Sequence, residues 1–153
     1  MIANGSYQLT EMQRAAARLA EAGVAYRLVH LQESGHFRAP RDRWEIDALA
    51  AEGVAEQLFP EQMELRVLLT HMRPEVARGH LWPILPDVRR NSVFGYRNRG
   101  GTLDADGMQF AHRASWANVL AACARLLDVP RTALLKPDEA AAVAGKGDPR
   151  VLR

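Results

Sequence analysis

The residues best suited to chemistry fall in residues 93–116, VFGYRNRGGTLDADGMQFAHRASW, an apolar strand pattern followed by a Gly-rich polar loop and an amphipathic helix. Gly95, Arg97, Asn98, Arg99, Gly100 and Gly101 place glycines and guanidiniums just after the strand, a set able to cradle a phosphate through backbone N–H groups and charge. The set is neither a Walker motif nor GxGxxG and contains no lysine, and glycines after a strand also serve simply to make a tight turn. His112 precedes Arg113 at the start of the expected helix, where it either reaches a ligand or partner chain or acts as a surface or capping residue. Asp104-Ala105-Asp106-Gly107 matches a fragment of a calcium loop, but the remaining EF-hand positions and the closing glutamate are missing. A turn with an aspartate cap is expected there instead.

Other chemistry-bearing residues form no catalytic set. His30, His36, His71 and His80 do not follow a zinc-ligand spacing. Cys123 lies on an apolar helical stripe, as a buried inert thiol does. Ser6 sits in NGSYQ rather than in a GxSxG elbow, and Glu45 and Asp47 read as an ordinary solvated helix face.

The elements that must position these residues alternate between strand and helix. Residues 1–4 read as a short strand, and Gly5-Ser6 turns it into a helix carrying Met12, Ala15, Ala16, Leu19 and Ala20 at helical spacing, with Gly23 at its C-terminal cap. A strand at the initiator methionine suggests the C-terminal piece of a longer protein; a short edge strand is the alternative. Residues 24–31, VAYRLVHL, read as a second strand, giving a βαβ unit with a right-handed crossover. Residues 32–43 are polar and broken by Gly35 and Pro40, a loop leaving the carboxyl end of a parallel strand, where open α/β sheets place their sites.

A helix is expected over residues 44–58, interrupted by Gly53 and stopped by Pro60, then a buried strand over residues 64–70. Pro74 opens a helix running to about residue 84, with Glu75 suiting its N-terminal dipole. Residues 86–91 form a loop with Arg89 and Arg90, and residues 92–96 the strand of the first stretch. Trp116, Val119, Leu120, Cys123, Leu126 and Leu127 make a long apolar stripe expected to pack on the sheet. Pro130 ends that helix, residues 136–144 form a short Ala-rich helix, and residues 145–153 have the composition of a loose tail.

Composition narrows the classes. At 153 residues, with 48% hydrophobic and 25% charged content, the chain is most simply one globular domain. Lys and Arg number 20 against 18 Asp and Glu, a net charge of only +2 despite a pI of 9.0, and the bases are scattered apart from Arg89, Arg90, Arg97 and Arg99. That argues against a nucleic-acid partner. One cysteine excludes an internal disulfide framework and a multi-cysteine zinc site. The sequence MIANGSYQ has neither a basic leader nor a signal-length apolar core, and no segment reads as a membrane span, so a cytoplasmic protein without membrane contact is expected.

IANGSYQLTEMQRAAARLAEAGVAYRLVHL resembles the opening βαβ of the C-terminal domain shared by transketolases, pyruvate dehydrogenase β-type subunits and phosphoketolases. RVLLTHMRPEVARGHLWPIL resembles the strand and helix that follow there, and GYRNRGGTLDADGMQFAHRASWANVLAACARLL resembles the closing strand-loop-helix of phosphoketolases. The resemblance implies a three-layer α/β/α sandwich with a mostly parallel sheet and one reversed strand, over residues 1–135, followed by a short helix and tail over 136–153. In that family thiamine diphosphate and a divalent metal are held by two upstream domains. This chain carries neither their GDG-type metal motif nor their glutamate segment, so it is expected to bind no cofactor alone.

The expected role is structural: docking to thiamine-binding domains of the same or a neighbouring chain, with homodimer contacts, and with loops 32–43 and 97–106 at that interface. Arg38, Arg41, Arg97, Asn98, Arg99 and His112 are the candidate contacts to an anionic substrate or partner. The rivals are a self-sufficient sugar-phosphate binder or epimerase-like enzyme, and a non-catalytic oligomerisation module.

Overall fold

The computed structural model describes residues 1–85, 87–99 and 101–153; Pro86 and the candidate cradle residue Gly100 lie outside the described residues. In chain order the elements are β1 (Ile2–Asn4), α1 (Ser6–Glu21), β2 (Val29–His30), α2 (Val54–Leu58), β3 (Arg66–Thr70), α3 (Pro74–His80), β4 (Asn91–Phe94), α4 (Ala105–Ala111), α5 (Trp116–Leu126) and α6 (Pro137–Val143). Short 3-10 turns fill several of the connections.

Among the described residues four strands form one parallel sheet in the order β2-β1-β3-β4. The chain steps from β1 to β2 on one side and then to β3 on the other, which creates a switch point between β1 and β3. Strand alternation divides the core. Ala3, Val67 and Leu69 face α1 and α5, joining Met12, Ala15, Leu19, Trp116, Val119 and Leu120. Ile2, Leu68 and Val93 face the other way, joining Phe59 and, from α3 and the turn after it, Ala77, Leu81 and Ile84.

The reversed strand expected from the resemblance does not occur among the described residues, since every recorded pairing is parallel. Nor is β1 an edge strand: it lies between β2 and β3. The second strand is far shorter than residues 24–31. Its partner β1 has only three residues, and the pairing is closed off by Val29 N–H donating to the Met1 carbonyl and Leu31 N–H to that of Ala3. Val24 is instead tied to the end of α1, its N–H reaching the Leu19 carbonyl at 2.9 Å beyond the left-handed Gly23 (φ 69°).

Three expected helices are broken. Residues 44–58 yield a 3-10 turn at Arg43–Ala48, capped by Asp42 Oδ1 on the Trp44 N–H at 2.8 Å. Its continuation is stopped where Leu49 turns extended, and Gly53 in a left-handed conformation starts the separate α2. The helix opened by Pro74 ends at His80, and a 3-10 turn at Trp82–Ile84 follows, around a proline that has no N–H to give. The long final helix is two helices, with Arg113 left-handed (φ 55°) in the corner between them. There the Glu11 carboxylate accepts the Trp116 N–H at 2.6 Å, so α1 caps α5.

The C-terminal segment, expected to be loose, is seated. Arg18 holds Glu139 through two hydrogen bonds of 3.0 Å. Leu152 is buried in the same apolar cluster as α1 and α5, and its carbonyl accepts the Trp116 Nε1–H at 2.9 Å and an Arg14 N–H at 3.2 Å.

Candidate functional site at the carboxyl edge of the sheet

The parallel strands all end on one edge, and a buried polar relay ties three of those ends together. Thr70 Oγ1 donates to Asn4 Oδ1 at 2.9 Å, Asn4 Nδ2 donates to the Leu31 carbonyl at 2.9 Å, and the Met72 N–H donates to Thr70 Oγ1 at 3.1 Å. Asn4 and Thr70 are buried, and every bond replaces water they have lost. Neither stands out in the sequence; their signal is a polar residue closing each of two apolar runs, Ile2-Ala3 in β1 and Val67-Leu68-Leu69 in β3.

Gly95 then brings the chain leaving β4 against the chain leaving β3. A β-carbon at Gly95 would stand 2.2 Å from the Met72 carbonyl oxygen and 2.9 Å from that of Thr70. Only a residue without a side chain fits this approach, and it lets the Tyr96 N–H donate to the Met72 carbonyl at 3.0 Å. The next residues consequently run beside the start of α3. Arg73, Pro74, Glu75, Tyr96, Arg97, Asn98 and Arg99 line an open groove of about 490 Å3.

The arginine loop is held from both sides. Asn98 is left-handed (φ 49°), and its side-chain oxygen accepts the Tyr96 hydroxyl at 2.9 Å. From beneath, His112 Nδ1 accepts the Arg97 N–H at 3.3 Å, and the imidazole packs on the Tyr96 ring with centroids 4.7 Å apart. His112 is therefore neither a surface residue nor at a helix start: it is buried at the C-terminal cap of α4. Because Nδ1 accepts, the neutral ring carries its proton on Nε2, a buried atom with no hydrogen-bond partner among the described residues. Burial, and then the Arg99 charge, lower the pKa of His112 below its ordinary value and favour that neutral form.

The six candidate residues separate into two groups. Arg97, Asn98 and Arg99 share the groove, with His112 supporting them and Arg73 joining them. Arg73 carries no local signal of a site in the sequence, since it stands alone before Pro74 at the helix start. Among the described residues, Arg73, Arg97 and Arg99 face no carboxylate within ion-pair distance.

Arg38 and Arg41 behave differently, for both bind Glu45. The Arg41 backbone N–H adds a bond of 2.9 Å to the same carboxylate. The Arg41 side chain first, then Arg38 and the Arg41 N–H, pull the Glu45 pKa down to about 2. Glu45 is thus the hub of a loop, not part of a solvated helix face.

The remaining groups take the roles their surroundings dictate. Asp104 caps α4 through the Gly107 N–H at 2.8 Å. Cys123 is buried in the core, and burial pushes its thiol up to about 11. Among the described residues no three His, Cys, Asp or Glu side chains gather as a metal site, and no helix is long and apolar enough to cross a membrane.

Comparison with protein-family models, with curated proteins and with solved structures found no match to this chain.

Proposed function

We propose that this chain is a C-terminal-type domain of a transketolase- or phosphoketolase-like sugar-phosphate enzyme, working in the cytoplasm as a docking and dimer-supporting element. The thiamine diphosphate and divalent metal of the complete enzyme are held by partner domains of the same or a neighbouring chain. Loops 32–43 and 97–106 face those domains, and the arginine loop rims the substrate entrance.

The observation that carries this reading is the arginine loop at the carboxyl edge of a parallel sheet, where open α/β sheets gather their functional loops. The absence of a reversed strand among the described residues departs from the family pattern, so the support comes from the loop and the βαβ opening, not from a full strand count. Titration calorimetry with thiamine diphosphate in the presence and absence of Mg2+ tests it. No metal-dependent binding to the isolated chain is expected; tight, stoichiometric, Mg2+-dependent binding would overturn the reading.

A further inference from the structure

We infer that the groove between the start of α3 and the loop after β4 binds the dianionic phosphate group of a small ligand, with Arg73, Arg97 and Arg99 as its three guanidinium contacts. The groove is the rim of the substrate entrance proposed above, and the inference rests on that reading for its place in an enzyme, whereas phosphate binding itself needs no partner domain.

Charge selects the ligand class. Three guanidiniums against the single carboxylate of Glu75 leave an excess of about two positive charges at a groove in a chain whose net charge is only +2. Of the chain's 18 arginines, Arg14, Arg18, Arg38, Arg41, Arg90, Arg150 and Arg153 meet a carboxylate within ion-pair distance; what sets the groove apart is that three of the others converge on one cavity. The three in the groove are not so paired among the described residues, and their planar N–H forks match phosphate oxygens two at a time.

Geometry supports the same assignment. The loop is fixed before any ligand arrives: Gly95 brings it to β3, the left-handed Asn98 bonds Tyr96, and His112 holds the Arg97 N–H. Pre-organisation of this kind lowers the ordering cost of binding. A volume of about 490 Å3 suits a small phosphate ester, whose polyol portion finds Tyr96 and Asn98 beside the guanidiniums. His112 is a positioning residue here, since it acts through the Arg97 backbone.

The test is titration of the full chain, without metal and at constant ionic strength, with inorganic phosphate and separately with glycerol 3-phosphate, read by 31P NMR and calorimetry. Saturable one-to-one binding is expected, with both probes competing for one site. A tighter fit for the ester assigns the site to esterified phosphate, and equal affinity assigns it to the phosphate group alone; either result upholds a phosphate site.

Arg73→Ala and the double variant Arg97→Ala/Arg99→Ala should each weaken binding by at least about tenfold, the loss expected for a charge-assisted contact. Arg97→Lys/Arg99→Lys, which keeps the charge and loses the forks, should fall between them and the unaltered chain. Arg89→Ala removes an exposed guanidinium elsewhere and should leave affinity unchanged. Circular dichroism melts confirm that each variant is folded. No saturation up to about 20 mM ligand, or an equal loss in Arg89→Ala, would overturn the inference. Because this titration omits metal and the thiamine titration depends on it, each proposal can fail without the other.

Discussion

Two loops of this molecule carry arginines two or three residues apart, and they reach opposite states. In the loop after β2, Arg38 and Arg41 converge on Glu45, which cancels one of their two charges and occupies N–H groups of both. In the loop after β4, Arg97 and Arg99 join Arg73 around an open groove and face no carboxylate within ion-pair distance among the described residues. The number of guanidiniums therefore does not make an anion site; the whereabouts of the nearest carboxylate does. Glu45 stands four residues beyond Arg41, whereas the first acid after Arg99 is Asp104, which caps α4 and faces Arg153 at 3.2 Å.

The sharpest way to break this contrast is to destroy the approach that builds the groove. Gly95→Val forces a side chain into the Met72 and Thr70 carbonyls, and since backbone must move, a loss of about 3 kcal/mol is expected in urea denaturation, with phosphate affinity lost alongside. A stability within experimental error of the unaltered chain would show that the β3–β4 exit does not need the close approach.

Glu45→Gln should make the first loop behave like the second. Removing the shared carboxylate releases Arg38 and Arg41, and a second, weaker phosphate site is expected in the same NMR titration. The acid limb should change too. Glu45 titrates near 2 when folded against an ordinary 4.5, so its contribution to stability is present above pH 4.5 and lost as pH falls through about 2. Denaturation curves of Glu45→Gln should be flatter across that window.

The smallest effect concerns the support beneath the arginine loop. The folded pKa of His112 lies below 6.5, so the stabilisation that its neutral ring supplies is fully present above pH 6.5 and is lost as pH falls through the folded value. Protonation also turns Nδ1 into a donor facing the Arg97 N–H. An NMR titration of the imidazole should give this lowered value, and Arg99→Ala should raise it only part of the way, because burial is the larger cause.

Where the chain itself dictates local structure, the sequence was readable. The spacing of Met12, Ala15, Ala16 and Leu19 gives α1, the apolar run through Leu69 gives β3, and Asp104 caps a helix as its position implies. Where a distant partner decides, it was not. Residues 24–26 have strand-forming side chains but lie beyond the reach of a three-residue neighbour, whose side of the sheet extends only to the Met1 amino group on the Arg27 carbonyl. The cap on Trp116 depends on Glu11, more than a hundred residues away. The groove was half visible: Arg97, Asn98 and Arg99 follow one another, but Arg73 reaches them only because β3 and β4 are neighbours in the sheet.

The indole of Trp116 has a use beyond packing. Trp44 and Trp82 are largely exposed, at 75% and 57%, whereas Trp116 is buried with its N–H on the Leu152 carbonyl and the Arg14 and Arg18 guanidiniums over its ring. One fluorophore of three thus sits in an apolar, hydrogen-bonded pocket that the last turn of the chain closes. The molecule carries its own optical gauge of whether its C-terminus is in place, with no label attached.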